Sequence, residues 1–148
     1  GGPEINLRLP ALIPDDYLPD VHARLILYKR IANAADEEGL KELQVEMIDR
    51  FGLLPEPTKN LVRITLLKLH AEKLGIKKID AGPQGGRIEF AADTCVDPLT
   101  LIKLIQGQPK HYKFEGATLF KFSVPMERPE ERFNTLEALL ERLTPKTA

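Results

Sequence analysis

Between Glu4 and Leu9 the apolar residues Ile5, Leu7 and Leu9 alternate with Asn6 and Arg8, a period of two that predicts a strand with one buried face. Pro10, Pro14 and Pro19 then hold about ten residues in an extended loop, and Asp20 can cap a helix starting at Val21. From Val21 to about Ala35 the pattern turns helical. Val21, Leu25, Tyr28 and Ala32 share a stripe that Leu27 and Ile31 widen, which predicts a largely buried helix. A second helix is expected from Asp36 or Glu37 to Phe51, with Leu40, Leu43, Met47 and Phe51 inward and its other faces almost entirely charged. Gly52, with Pro55 and Pro57 beyond, stops it. A third helix, about Thr58 to Leu74, is closed by Gly75.

The second half reads differently. Ile76 to Ala81 and Arg87 to Ala92 predict two strands joined through the glycine-rich Gly82 to Gly86. Asp97-Pro98 starts a short helix ending near Gly107, packed by Leu101, Ile102 and Ile105. Tyr112 to Glu115 and Ala117 to Val124 form a second hairpin turning at Gly116, with Phe120, Phe122 and Val124 on one face. Pro129 opens a last helix with the stripe Phe133, Leu136, Leu140 and Leu143. The order βαααββαββα predicts an α+β domain with helices packed on a mostly antiparallel sheet. Residues 4–144 are expected to form one domain, with 1–3 a cloning scar or tail and 145–148 a polar tail. Two lobes, helical and hairpin-rich, are the second reading.

A chain of 148 residues is long enough to bury a core without staples, and a single cysteine excludes a disulfide framework. That usage fits a reducing cytoplasm. The net charge is -1, so overall charge names no nucleic-acid or membrane partner, and no apolar run reaches membrane-spanning length. No export signal is visible.

Catalytic chemistry is hard to find. Gly82 to Gly86 ends in Gly86-Arg87 and enters a strand, where a phosphate loop would end in Gly-Lys-Ser/Thr and enter a helix. His22, His70 and His111 lack paired metal-ligand spacing, and Cys95, with no nucleophile signature around it, reads as a buried structural thiol. No catalytic residue, cofactor or metal site is expected.

Local charge is more telling. Asp36 to Arg50 holds six acids and two bases, whereas Lys59 to Lys78 holds six bases and one acid. Glu42, Glu46 and Asp49, at i, i+4 and i+7, should line one exposed strip of the second helix. Such a strip is either a solvated face or a contact for a basic partner. The basic stretch 59–78 could touch phosphates, although it lacks interleaved aromatics.

Leu9-Pro10 with Ala11-Leu12-Ile13-Pro14, Tyr17-Leu18-Pro19-Asp20, RLILYKR from Arg24 to Arg30, and DRFGLLP from Asp49 to Pro55 occur here in one succession. Together they resemble the C-terminal domain of bacterial transcription-repair coupling factors (the Mfd family), most strongly over Glu4 to Ala81 and more loosely to Leu143. These motifs are architectural rather than reactive. The resemblance implies a regulatory piece of an ATP-driven DNA translocase whose motor and RNA-polymerase-binding module lie in other domains. It further implies packing against a UvrB-like N-terminal module, covering the surface that recruits UvrA. On that reading Glu46 and Asp49 supply the central contacts and Glu42 and Arg50 the edges, with Arg50 orienting a neighbouring carboxylate. The competing reading is a nucleic-acid contact through residues 59–78.

Overall fold

A computed structural model describes residues 2–146, so Gly1 of the expected scar and residues 147 and 148 of the expected polar tail lie outside the described residues. The elements are β1 (Glu4–Asn6), α1 (Val21–Ala32), α2 (Glu37–Phe51), α3 (Glu56–Leu74), β2 (Ile76–Gly82), β3 (Gly85–Phe90), α4 (Pro98–Gly107), β4 (Tyr112–Glu115), β5 (Leu119–Phe122) and α5 (Pro129–Leu143). This is the expected order and an α+β fold. The chain forms two compact units, one of residues 9–69 and one made of the stretch through Arg8 and the chain from His70 onward.

In the helical unit, Ile13, Leu18, Leu27, Ile31, Leu40, Leu43, Met47, Leu54 and Val62 make a core. The proline-pinned loop before α1 has few backbone partners of its own, and side chains supply them. The Tyr28 hydroxyl accepts from the Ile13 N–H at 2.8 Å, and buried Thr58 donates its hydroxyl to the Leu12 carbonyl at 3.0 Å. Asn60 donates to the Pro10 carbonyl at 2.9 Å. The Tyr17 hydroxyl donates to the Gly52 carbonyl at 2.8 Å, which ties the loop to the end of α2. Motifs that read as architecture in the sequence thus satisfy polar groups that an irregular segment would otherwise leave unpaired.

The burial of α1 differs from the expected stripe. Val21, Leu25 and Ile26 are exposed at 59%, 57% and 46%, and only Leu27 and Ile31 are fully buried. An almost continuous apolar run such as Leu25 to Tyr28 is compatible with more than one inward face. The choice follows Arg24, whose guanidinium donates to the Leu18 and Pro19 carbonyls at 2.7 and 3.1 Å, turning its side of the helix toward the loop. The third helix starts at Glu56, two residues before the expected Thr58, with Pro57 in its first turn.

In the other unit the five strands lie in the order β1-β2-β3-β5-β4, with β1 parallel to β2 and every other pairing antiparallel. Ile79, Ala81, Ile88, Phe90, Phe120 and Phe122 bury one face of the sheet, and Phe133, Leu136, Leu139, Leu140 and Leu143 bury one side of α5. The first strand is shorter than its alternation implies. The Asn6 side chain accepts the Arg8 N–H at 3.1 Å and Arg8 takes φ 56°, so the chain leaves the sheet after Asn6. Gly85, at φ 137°, has the Phe122 carbonyl oxygen against the place where a Cβ would stand, so only glycine fits there.

Two further expectations are corrected. Leu101 and Leu104 pack α4, while Ile102 is exposed, because the inward positions fall at i and i+3 rather than at i+1. Cys95 is exposed rather than buried, since it lies in the loop after β3, where its N–H donates to the Leu74 carbonyl and its thiol to the Lys73 carbonyl at 3.5 Å.

A clamped carboxylate on the acidic face of α2

The second helix is built by strong end signals. The Asp36 carboxylate accepts the Gly39 N–H at 2.8 Å, and Glu37 and Glu38 sit in the first turn, where the helix dipole favours negative charge. At the other end Gly52 takes φ 97° and its N–H closes on the Ile48 carbonyl at 2.9 Å, while Arg50 occupies the favourable last turn. With Leu40, Leu43 and Met47 buried, Glu42 and Asp49 are left exposed on the outer side.

The three acids of the predicted strip are not equivalent. Glu46 is clamped. From the last turn of α1, Arg30 donates two parallel hydrogen bonds to it, Nη1 to Oε2 at 2.6 Å and Nη2 to Oε1 at 2.8 Å. From the next turn of α2, Arg50 Nη1 donates to Oε2 at 3.1 Å. Hydrogen bonding by Arg30, then by Arg50, with the attraction of both positive charges, holds the Glu46 carboxyl at about 2. The same pairing raises Arg30 above its ordinary value. Among the described residues no hydrogen bond or ion pair reaches Glu42 or Asp49.

Arg50 is positioned twice. Besides its bond to Glu46, its guanidinium carbon sits 4.7 Å from the centre of the Phe51 ring, a cation–π contact, and Phe51 meets Tyr17 edge to face at 6.0 Å between centroids. The side chain that sequence reasoning put at the edge of the site, as a possible guide for a neighbouring carboxylate, is therefore bonded to the carboxylate between Glu42 and Asp49.

Sequence reasoning missed two components. Arg30 lies sixteen positions before Glu46, and only the packing of α1 beside α2 joins them. Val45 and Ile48 are exposed at 59% and 39%, so the outer side of α2 mixes apolar residues with its charges instead of being almost entirely charged. That apolar content was visible in the sequence as two aliphatic positions off the buried stripe. With Val45 and Ile48 exposed among them, the three acids and two arginines leave this face a net negative balance.

The other candidates stand apart. Lys59, Lys77 and Lys78 of the basic stretch are already ion-paired, with Glu56, Glu89 and Glu4 at 3.4, 3.8 and 3.4 Å. The His70 ring Nε2 lies 2.8 Å from the Thr144 hydroxyl, and His111 Nδ1 donates to the Ser123 carbonyl at 2.8 Å. Among the described residues no three His, Cys, Asp or Glu side chains come together as a metal site, and no helix is long and apolar enough to cross a membrane.

The model of the family described as TRCF domain matches residues 7–101. The transcription-repair-coupling factor of Escherichia coli (strain K12) is 46% identical over 140 residues, covering 95% of this chain and 12% of that protein. The corresponding protein of Haemophilus influenzae is 52% identical over 137 residues, covering 93% of this chain and 12% of that protein. The chain thus spans about an eighth of the length of these curated relatives. A crystal structure of the C-terminal domain of transcription-repair coupling factor superposes with a TM-score of 0.79 at 26% identity, covering 97% of this chain and 94% of that one. The chain belongs to the TRCF domain family, the C-terminal domain of transcription-repair coupling factors.

Proposed function

We propose that this chain is a non-catalytic, autoinhibitory interaction module of a transcription-coupled DNA repair factor. In this reading the outer face of α2 covers the UvrA-recruiting surface of a UvrB-like N-terminal module in the same polypeptide, until the ATP-driven translocase engages stalled RNA polymerase. The motor and the DNA and polymerase contacts belong to other parts of the parent protein, which works in the cytoplasm. What carries the reading is the arrangement of Glu42 and Asp49, exposed and unbonded among the described residues, along the same strip as a carboxylate that two arginines hold still.

A recruitment surface rich in arginine would find in Glu42 and Asp49 acceptors for charge-assisted hydrogen bonds. Glu46 has a different task. With both oxygens engaged, it keeps Arg30 and Arg50 from folding onto the neighbouring acids and sets Arg50 at the rim. Exposed ion pairs contribute only about 0.2 to 1 kcal/mol each, so such a contact is weak on its own. Within one polypeptide weakness is no obstacle, because tethering supplies an effective concentration on the order of mM, and a modest contact remains open to displacement.

The test uses the full-length parent protein. Replacing Asp49 and Glu46 by alanine should expose UvrA binding, while the melting temperature of the 148-residue chain carrying Asp49→Ala stays nearly unchanged. UvrA affinity that does not move in a folded double variant would refute the assignment.

A further inference from the structure

The open face of the sheet in the other unit carries its own pattern of charge. One row of directly opposed residues crosses it as Glu4, Lys78, Glu89, Leu119 and Glu115, alternating in sign over its first three members as an exposed sheet face usually does. The adjacent row does not alternate. It runs Asn6, Asp80, Arg87, Lys121 and Lys113, placing three cations abreast on β3, β5 and β4. Like charges directly opposite one another on neighbouring strands, about 5 Å apart, work against the fold.

These cations line a concave cavity of about 540 Å³, walled by the Pro83-Gln84 turn and joined by Arg8. Arg8 is there at a backbone cost. It is the one non-glycine residue with positive φ among those described, a conformation that suits glycine or asparagine far better than arginine. Its main chain is held by Arg132, which is 5% exposed and donates to the Leu7 and Arg8 carbonyls at 2.8 and 3.3 Å. Its side chain lies over Gly82, where a Cβ would come within 2.9 Å of Nη1, and reaches Asp80 at 3.5 Å.

Four cations therefore face the cavity. The acids beside them are Asp80, which stands opposite Arg87 in the strand register and 3.5 Å from Arg8, and Glu115, 3.1 Å from Lys121. The Glu115 carboxyl is held below its ordinary range chiefly by its bond to Lys121, with Lys113 and Arg87 adding their attraction, so the three cations act on one region of space. Phe122, the aromatic ring of the lining, is buried and offers no face for stacking a base.

We propose that this cavity binds phosphate groups, through Arg87, Lys121 and Lys113 with Arg8 closing one end. Two features select phosphate: a multiply charged anion removes the repulsion between neighbouring cations, and the guanidinium forks of Arg8 and Arg87 match its oxygens. The absence of an exposed ring means that the ligand is recognised by its phosphates rather than by a base. The site owes nothing to a phosphate loop, since the glycine-rich turn supplies only a wall, and it is distinct from both the acidic face of α2 and the basic stretch 59–78. A phosphodiester chain and a free polyphosphate share this chemistry, and the experiment separates them.

The probes are a fluorescently labelled DNA duplex, read by anisotropy, and inorganic tripolyphosphate, read by calorimetry, each added to the full chain at about 50 to 200 mM salt. Binding of either supports the site, and which one binds identifies the source of the phosphate. The double variant Arg87→Gln/Lys121→Gln should bind at least about tenfold more weakly and, for DNA, lower the log–log salt slope by about 2, one for each lost contact. The melting temperature of Arg87→Gln alone should change little, because the lost repulsion with Lys121 is set against the lost attraction to Asp80. Lys113→Gln on the edge strand gives the same reading should the double variant fail to fold. Lack of binding of both probes, unchanged affinity in a folded variant, loss of binding on Lys59→Gln/Lys68→Gln instead, or equal affinity for a polyglutamate peptide would each overturn the proposal.

Discussion

Arg30 grips Glu46 with two parallel hydrogen bonds of 2.6 and 2.8 Å between consecutive helices. A planar fork facing a carboxylate orients both groups, and Arg50 fixes the same carboxylate from within its own helix. Of the three acids on the outer face of α2, Glu46 is thereby held in one orientation, between Glu42 and Asp49.

The Glu46 carboxyl should accordingly titrate at about 2 in the folded chain, read by carboxyl-carbon NMR. Its folded value lies below the unfolded one, about 4.3, so its stabilising contribution is full above that value and is lost as pH falls toward 2. Arg30→Gln should move the Glu46 titration upward. A Glu46 signal that ignores this substitution would mean that the pairing does not persist in solution.

Much of the fold is legible because its punctuation is local. Asp36 with Gly52, Asp97 with Pro98, and Gly75 and Gly116 each mark a boundary through their own backbone chemistry, and the elements end where these residues place them. The candidate site is legible only in part. The strip of Glu42, Glu46 and Asp49 follows from helical spacing, but the Arg30 clamp depends on how α1 lies beside α2, and spacing within one helix says nothing of that. The same limit hides Arg132, a charge in a last-helix pattern that gives no hint of burial.

Arg132 should be among the costliest positions to change. Its guanidinium spends its donors on main-chain oxygens: Nε to Met126 at 2.9 Å, Nη1 to Leu7 at 2.8 Å and Nη2 to Glu127 at 2.7 Å. Removing it strands buried carbonyls, each worth about 1 to 3 kcal/mol when unpaired, so Arg132→Ala should lose roughly 3 kcal/mol or more in urea unfolding. Arg132→Lys should recover little, since an ammonium cannot span oxygens set for a planar fork.

His70 brings an acid sensitivity of its own. Burial is the main cause of its lowered value, Lys73 adds to the effect, and Glu141 opposes it. The folded state therefore favours the neutral ring, and the unfolded chain binds the extra proton first as pH drops. Stability from this group is present above about pH 6.5 and declines as pH falls below it. Urea midpoints measured from about pH 8 to 5.5 should show that decline, and His70→Gln should flatten this part of the profile.

The inward face of α1 can be settled by paired truncations. Leu25 is 57% exposed and Leu27 is 2% exposed, although they lie two residues apart in one apolar run. Leu27→Ala removes a side chain surrounded by the helical unit's core and should cost about 2 to 5 kcal/mol. Leu25→Ala removes mainly solvated surface, so its cost should stay within about 0.5 kcal/mol. Reversal of that order in denaturant unfolding would place Val21 and Leu25 inside after all. Val21→Ser serves as a second reading of the same face, because a hydroxyl at an exposed position needs no buried partner.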